Sequence, residues 1–344
     1  MPSQICHALA GYRALDHSAV DASFLVSAAF NLGCQGPDLF SHNRLTKPLS
    51  LAYSRMLHRN GYGRFCGNLA RRLVSSPDPL AVSWFLGFVT HQEVDRCLHP
   101  YIIYRSHLAQ TFDMPGVNPA LIHAFLERII DVRLLWALEE KHVSEYDTGD
   151  PFYLPEASRR PLATLLAASL CDTYPELHGE DDIELRVMNA FSDAINFYAI
   201  TNPVLTDMRK SVESTVFANF KGCEASDIAL LYPENPDPET DWLNLAALPW
   251  KNPADGSERN DSALSLFHEA ASRASGIIGV TDAVLRGSRD PEELAREIGD
   301  GCLSIAGADG RIAPVRASEP FDLVKALGTE LERRRRWLGA RLRE

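Results

Sequence analysis

Apolar residues recur along this chain at the three-to-four-residue spacing of helix faces, and hardly anywhere at the strict alternation of strands. Phe24–Leu32 is a short apolar run closed by Gly33-Cys34-Gln35-Gly36-Pro37-Asp38, whose two glycines and proline predict a sharp turn with Asp38 at its exit. Pro48–Arg59 sets Leu49, Ala52, Tyr53, Met56 and Leu57 on one side and stops at Asn60-Gly61, with His58 in its last turn. Another helix is predicted over Arg64–Val74, broken by Ser75-Ser76-Pro77-Asp78-Pro79. Leu80–Leu98 then reads as a long apolar helix carrying Trp84, Phe85, Leu86, Phe88 and Val89. Asn118-Pro119 opens a helix running to about Lys141, and Arg160–Tyr174, Asp181–Ile200 and Pro203–Phe220 complete the set. The expected fold class is all-α.

From about Glu224 the pattern changes. Tyr232–Pro238 and Leu248–Pro253 are punctuated by prolines and cannot continue a helix. Helices are expected at about Asp261–Ile278 and Pro291–Ile298. Cys302–Val315, with Ala308-Asp309-Gly310 between short apolar runs, is the one predicted hairpin. A last helix from about Pro320 ends in Arg333-Arg334-Arg335-Arg336, expected to be a solvated basic end. The chain thus reads as a helical domain over residues 1–225 with a packed C-terminal extension over 226–344, loop-rich and then helical.

The chemistry concentrates in Thr90-His91-Gln92-Glu93-Val94-Asp95-Arg96-Cys97-Leu98-His99. His91, Asp95 and His99 are four apart and stand one above another on a helix face. His123 and Glu127 form a second such pair. Neutral imidazole and ionised carboxylate are ordinary ligands of zinc and related divalent ions. Four His-x3-acid pairs occur where the 11 His and 46 acidic residues supply about 1.5 by chance, so His17/Asp21 and His178/Asp182, which have no third ligand in register, are set aside. The triple has a chance expectation of only about 0.05 by the same counting. A buried apolar helix bearing those three groups must also satisfy them, and a bound metal does so at once. Asp131 continues the i+4 series as an acceptor for a ligand or as an exposed charge.

Composition narrows the classes further. Apolar and charged shares of 45% and 23% are those of a globular protein. The formal charge of −12 argues against non-specific nucleic-acid binding. Seven scattered Cys without a CxxC indicate reduced thiols, with Cys6, Cys34 and Cys97 as small buried hydrophobes beside the proposed ligands. No targeting segment and no membrane-spanning run is evident, so a cytoplasmic location is expected.

Taken together, Gly33-Cys34-Gln35-Gly36-Pro37-Asp38, His58, Gly87–Asp95 with His99-Pro100-Tyr101, and His123-x3-Glu127 resemble the zinc-dependent phospholipase C family, in particular its bacterial branch without a secretion signal. The likeness covers residues 1–140 in motif detail and continues more loosely through Trp242-Leu243-Asn244-Leu245 and Trp250-Lys251-Asn252-Pro253. It implies a helical phospholipase C/P1 nuclease-like fold whose zinc cluster cleaves phosphodiesters. Asp38, His58, His91 and Asp95 would hold one zinc, and His99, His123 and Glu127 a second. His7 with the shared Asp95 carboxylate would hold a third. The chain departs from the pattern in lacking an N-terminal Trp and in the four-residue step from Asp95 to His99. Two zinc ions are therefore the expected number, with Asp38 expected to orient or deprotonate the attacking water. The expected substrate is a small-molecule or lipid phosphodiester. An HD-domain hydrolase is disfavoured because no His-Asp dipeptide occurs, and a di-iron oxidase because imidazoles outnumber carboxylates. A non-catalytic helical scaffold held together by metal is the remaining alternative.

Overall fold

A computed structural model describes residues 4–107, 116–206 and 224–341. The helices are α1 (Gln4–His17), α2 (Ser27–Cys34), α3 (Asp38–Ser41), α4 (Leu51–Arg59), α5 (Tyr62–Ser75), α6 (Pro79–Ser106) and α7 (Pro119–Glu139). They continue with α8 (Glu156–Thr173), α9 (Ile183–Ile200), α10 (Pro203–Thr206), α11 (Ala225–Ile228), α12 (Ala263–Leu285), α13 (Pro291–Ile298) and α14 (Leu323–Arg341). The expected predominance of helix holds. Among the described residues the only sheet is an antiparallel pair, β1 (Trp250–Lys251) and β2 (Glu258–Arg259), in a connection where no strand was expected.

The axis of the molecule is α6. Asp78 caps it by accepting from the Ala81 amide, and Pro79 occupies its first turn, where a missing N–H costs nothing. Its apolar residues point all round rather than to one side, the pattern of a helix enclosed by others. It packs against α2, α12 and α1. At the α2 crossing the backbones meet directly. A Cβ on Gly33 would collide with the Trp84 carbonyl, and one on Gly87 with the Phe30 carbonyl.

Two apolar clusters meet along α6. Trp84, Phe85, Phe88 and Val89 belong to one, shared with α2, α5, α8 and α9. Val94, Leu98, Tyr101 and Ile102 belong to the other, shared with α7, α12, α14, Trp242 and Trp250. Residues of α12 and α13 such as Ile278 and Leu294 sit in the first cluster beside Phe30 and Phe65. The polar turns of α6 lie at the seam between the two.

Several boundaries differ from expectation. Helix α1 was not anticipated, because Ala8, Ala10, Gly11 and Ala14 bury it by close approach and leave little large-residue periodicity. Helix α6 runs past Leu98 through Pro100 to Ser106, so Asp95 and His99 share one continuous helix. The 302–315 hairpin forms its turn, with Gly307 N–H on the Arg311 carbonyl at 2.8 Å, but reduces to the single bridge Ala306–Ile312. Of the helix expected over Pro203–Phe220, α10 is described and the remainder lies outside the described residues. The Arg333–Arg336 run is not simply a solvated end. Arg334 is buried, bonding Glu330 and the Tyr232 carbonyl, and Arg333 bridges Glu330 and Glu234.

Candidate metal centre

Five segments converge at that seam: α1 brings His7, the start of α3 Asp38, the last turn of α4 His58, α6 His91, Asp95 and His99, and α7 His123 and Glu127. The chain folds this way locally for identifiable reasons. Gly36 adopts φ +55, and a Cβ there would strike the His91 ring, so only glycine lets the turn deliver Asp38 against that imidazole. Helix α1 is anchored from α7, whose Asp131 carboxylate accepts the Ile5 amide at 3.1 Å and the Cys6 amide at 2.8 Å. Asp131 is buried rather than an exposed charge, and it fixes the helix that carries His7.

The donor atoms form three groups, His7/Asp38/His91, His58/His91/Asp95 and His99/His123/Glu127, within each of which they lie no more than 4.8 Å apart. All eight residues proposed from sequence as ligands are in these groups, whereas His17/Asp21 and His178/Asp182 are in none. Asp95 is the hub. Its oxygens stand 3.1 Å from His91 Nε2, 3.5 Å from His58 Nε2, 3.5 Å from His7 Nε2 and 3.6 Å from His99 Nδ1. Asp38 lies 3.3 Å from His58 Nε2 and 3.7 Å from His91 Nε2. Glu127 lies 2.9 Å from His123 Nε2 and 3.5 Å from His99 Nε2. His7 stacks on His91 with ring centres 4.2 Å apart.

The far sides of the rings are held as metal ligands require. His58 Nδ1 is 2.8 Å from the Ser54 carbonyl, His91 Nδ1 3.2 Å from the Cys34 carbonyl and His123 Nδ1 3.0 Å from Ser106 Oγ. The carbonyl contacts call for a protonated Nδ1 at His58 and His91, and all three contacts leave Nε2 to face the cluster. His91 Nε2, Asp38 Oδ2 and Asp95 Oδ2 are buried there, and although His91 and Asp95 approach to 3.1 Å none of the three atoms makes a well-directed hydrogen bond. Unsatisfied interior donors and acceptors are rare, and a shared divalent cation would satisfy this set together. The residues present fit a metal.

Charge tells the same story. Burial works to raise the carboxyls, yet surrounding imidazoles hold Asp38 below and Asp95 well below the usual range, and Glu127 is held well below it first by the positive amino terminus and then by His123 and His99. Burial likewise opposes protonation of His58, but Asp38 and Asp95 outweigh it and push the imidazole up to about 10. His99 is raised against burial by Asp95 and Glu127, while burial leaves His7 and His123 lowered. The carboxylates make this interior a well for positive charge.

The cluster is not sealed. The side chains of His58 and His123 are 21% and 22% exposed, whereas that of His91 is fully enclosed. A cleft of about 270 Å³ opens onto Asp38, His58 and His99. Its far wall is Cys302, Ser304 and Ile312, a segment to which sequence reasoning assigned no role. The wall is tied down by Leu303 N–H on the His58 carbonyl at 2.9 Å. Arg96 adds bonds from α6 to the carbonyls of Ile298 at 2.7 Å and Gly301 at 3.1 Å. The sequence carries no local signal for these backbone contacts. A missed imidazole, His42, is four residues after Asp38; burial takes it down to about 3, so it is neutral. No family model matches the chain, and neither a curated protein nor a solved structure matches it significantly.

Proposed function

We propose that the chain is a zinc-dependent phosphodiester hydrolase resembling phospholipase C, with His7, Asp38, His58, His91, Asp95, His99, His123 and Glu127 as the metal-holding set. The observation that carries this reading is the combination of unsatisfied donors at a buried imidazole–carboxylate cluster with a cleft that reaches it. Imidazole and carboxylate in these proportions suit zinc. Asp38, His58, His91 and Asp95 would hold one ion, and His99, His123 and Glu127 a second; His7 supports the first. Bound divalent ions would polarise the phosphoryl group and bring a water toward ionisation near neutral pH.

The protein's own part is positioning. The Ser54, Cys34 and Ser106 contacts orient His58, His91 and His123 before substrate arrives. Asp38, on the cleft floor and held ionised by His58 and His91, accepts a hydrogen from the attacking water and aims its lone pair at phosphorus. Its depressed pKa makes it an orienting acceptor more than a proton store. A purely structural metal site would be closed on all sides. The exposed edges of His58 and His123 favour the catalytic reading over the scaffold alternative.

The test is metal analysis of the purified chain together with bis(p-nitrophenyl) phosphate turnover. Wild type is expected to carry about two zinc ions and to hydrolyse the ester. His91→Ala and Asp95→Asn are expected to lose zinc and at least about 100-fold in rate together. A folded variant that lost its metal yet kept its rate would refute the reading.

A further inference from the structure

The cleft above the cluster has a chemical character of its own. Arg55 and Arg59 line one side and are spaced i, i+4 on α4, so they flank the turn that carries His58. Both are exposed, and neither has a carboxylate within ion-pairing distance among the described residues. Nearby acids are otherwise engaged: Asp300 pairs with Arg64, and Asp309 accepts the Arg311 amide at 3.0 Å. The remaining lining adds the hydroxyls of Ser41, Ser54 and Ser304, and the only carboxylate among the described lining residues is Asp38. Among the described residues no Phe, Tyr or Trp lines the cleft, so they offer none of the usual means of holding an alkylammonium group. In a chain of formal charge −12, two unpaired guanidinium groups beside a carboxylate-rich cluster form a local reversal of sign.

Resting on the hydrolase reading above, the geometry points to a substrate class: a phosphodiester whose leaving or retained group bears a second anion, carboxylate or phosphate, received by Arg55 and Arg59. The scissile phosphate occupies the cluster at Asp38, His58 and His99. The second anion extends along α4 toward the mouth, where a guanidinium fork can bind it through paired hydrogen bonds. The segment Cys302–Ile312 closes the opposite side and limits how far that group can swing. Esters with a cationic head group are disfavoured at this subsite by charge.

Three phosphonates of matched length test this directly: propylphosphonate, 3-phosphonopropionate and 3-aminopropylphosphonate. Their binding to the zinc-loaded full chain is measured by titration calorimetry, alongside bis(p-nitrophenyl) phosphate turnover. The carboxylate compound is expected to bind about tenfold tighter than the alkyl one, and the ammonium compound weaker than either. In Arg55→Ala/Arg59→Ala, whose truncated side chains are at the surface, the carboxylate preference is expected to vanish while propylphosphonate affinity stays unchanged. Equal affinities in wild type overturn the inference, as does a preference that survives in the double variant, since the carboxylate would then be meeting the metal. In both cases continued ester turnover leaves the hydrolase reading standing. A chain that binds none of the three and does not hydrolyse the ester overturns both.

Discussion

Asp131 is the sharpest point at which to test how the site is assembled. It is fully buried on α7, and its carboxylate receives the Ile5 and Cys6 amides in the first turn of α1. Without Asp131 both amides lose the charged acceptor that holds them in the interior. Hydrogen bonds to a charged group are worth about 1.5–3 kcal/mol each, which puts the pair near 3–5 kcal/mol when shared geometry is allowed for. Asp131→Ala is therefore expected to lower unfolding free energy by about 3–5 kcal/mol, a large part of an ordinary domain's stability. Asp131→Asn keeps one acceptor oxygen and should lose roughly half as much. Urea unfolding followed by far-ultraviolet circular dichroism gives both values, with metal-free and zinc-loaded protein run in parallel. His7 lies one residue beyond Cys6, so loosening this turn should also diminish any stabilisation that added zinc gives under the proposed reading. An Asp131→Ala protein within about 1 kcal/mol of wild type, below the worth of even one such bond, would refute the anchoring argument.

Gly36→Ala forces a side chain into φ +55 and onto the His91 ring; it should cost more than about 3 kcal/mol in thermal or urea unfolding and lower zinc content, and a neutral result would sink the packing argument. Arg96→Met removes the guanidinium that holds the carbonyls of Ile298 and Gly301, and should cost about 2–3 kcal/mol while raising protease cleavage within 299–313. Asp193 accepts from Asn43, Leu45 and Thr46, contacts that hold its carboxyl below the usual range against the opposing effect of burial. A carboxyl depressed in the folded state stabilises above its unfolded pKa, near 3.9, and loses that contribution as pH falls through the folded value. Asp193→Asn should thus be about 2–4 kcal/mol less stable than wild type at neutral pH, with the gap closing toward pH 3; a pH-independent gap would contradict it.

What was legible in the sequence was whatever repeats at helical spacing. His91, Asp95 and His99 announced their shared face, and the Gly36-Pro37-Asp38 turn announced its exit residue, because both depend on neighbours along the chain. Helix α1 escaped because alanine and glycine bury a helix without a large-residue stripe. The expected end of α6 at Leu98 does not occur; the helix continues through Pro100, and Ser106 in its last turn reaches His123. The partners that orient the rings are mostly backbone carbonyls, at Ser54 and Cys34, and a carbonyl has no sequence signature. The same holds for the cleft wall, where the contact is between the Leu303 amide and the His58 carbonyl.

The position of the cluster also bears on how its geometry is kept. Helix α6 packs against α2, α12 and α1, with apolar clusters at both ends of its polar turns. Close-packed interiors do not deform smoothly, so a ligand set mounted there keeps its spacing when neighbouring loops move. Three carboxylates in that interior repel one another, and the structure answers with imidazoles raised toward protonation at His58 and His99. A divalent cation binding at His58 would compete with the protonation that Asp38 and Asp95 favour there, so metal uptake would be linked to proton release. The helices at the seam therefore do two things at once: they hold the donors apart by rigid packing, and they keep enough negative charge buried that a cation is the natural occupant.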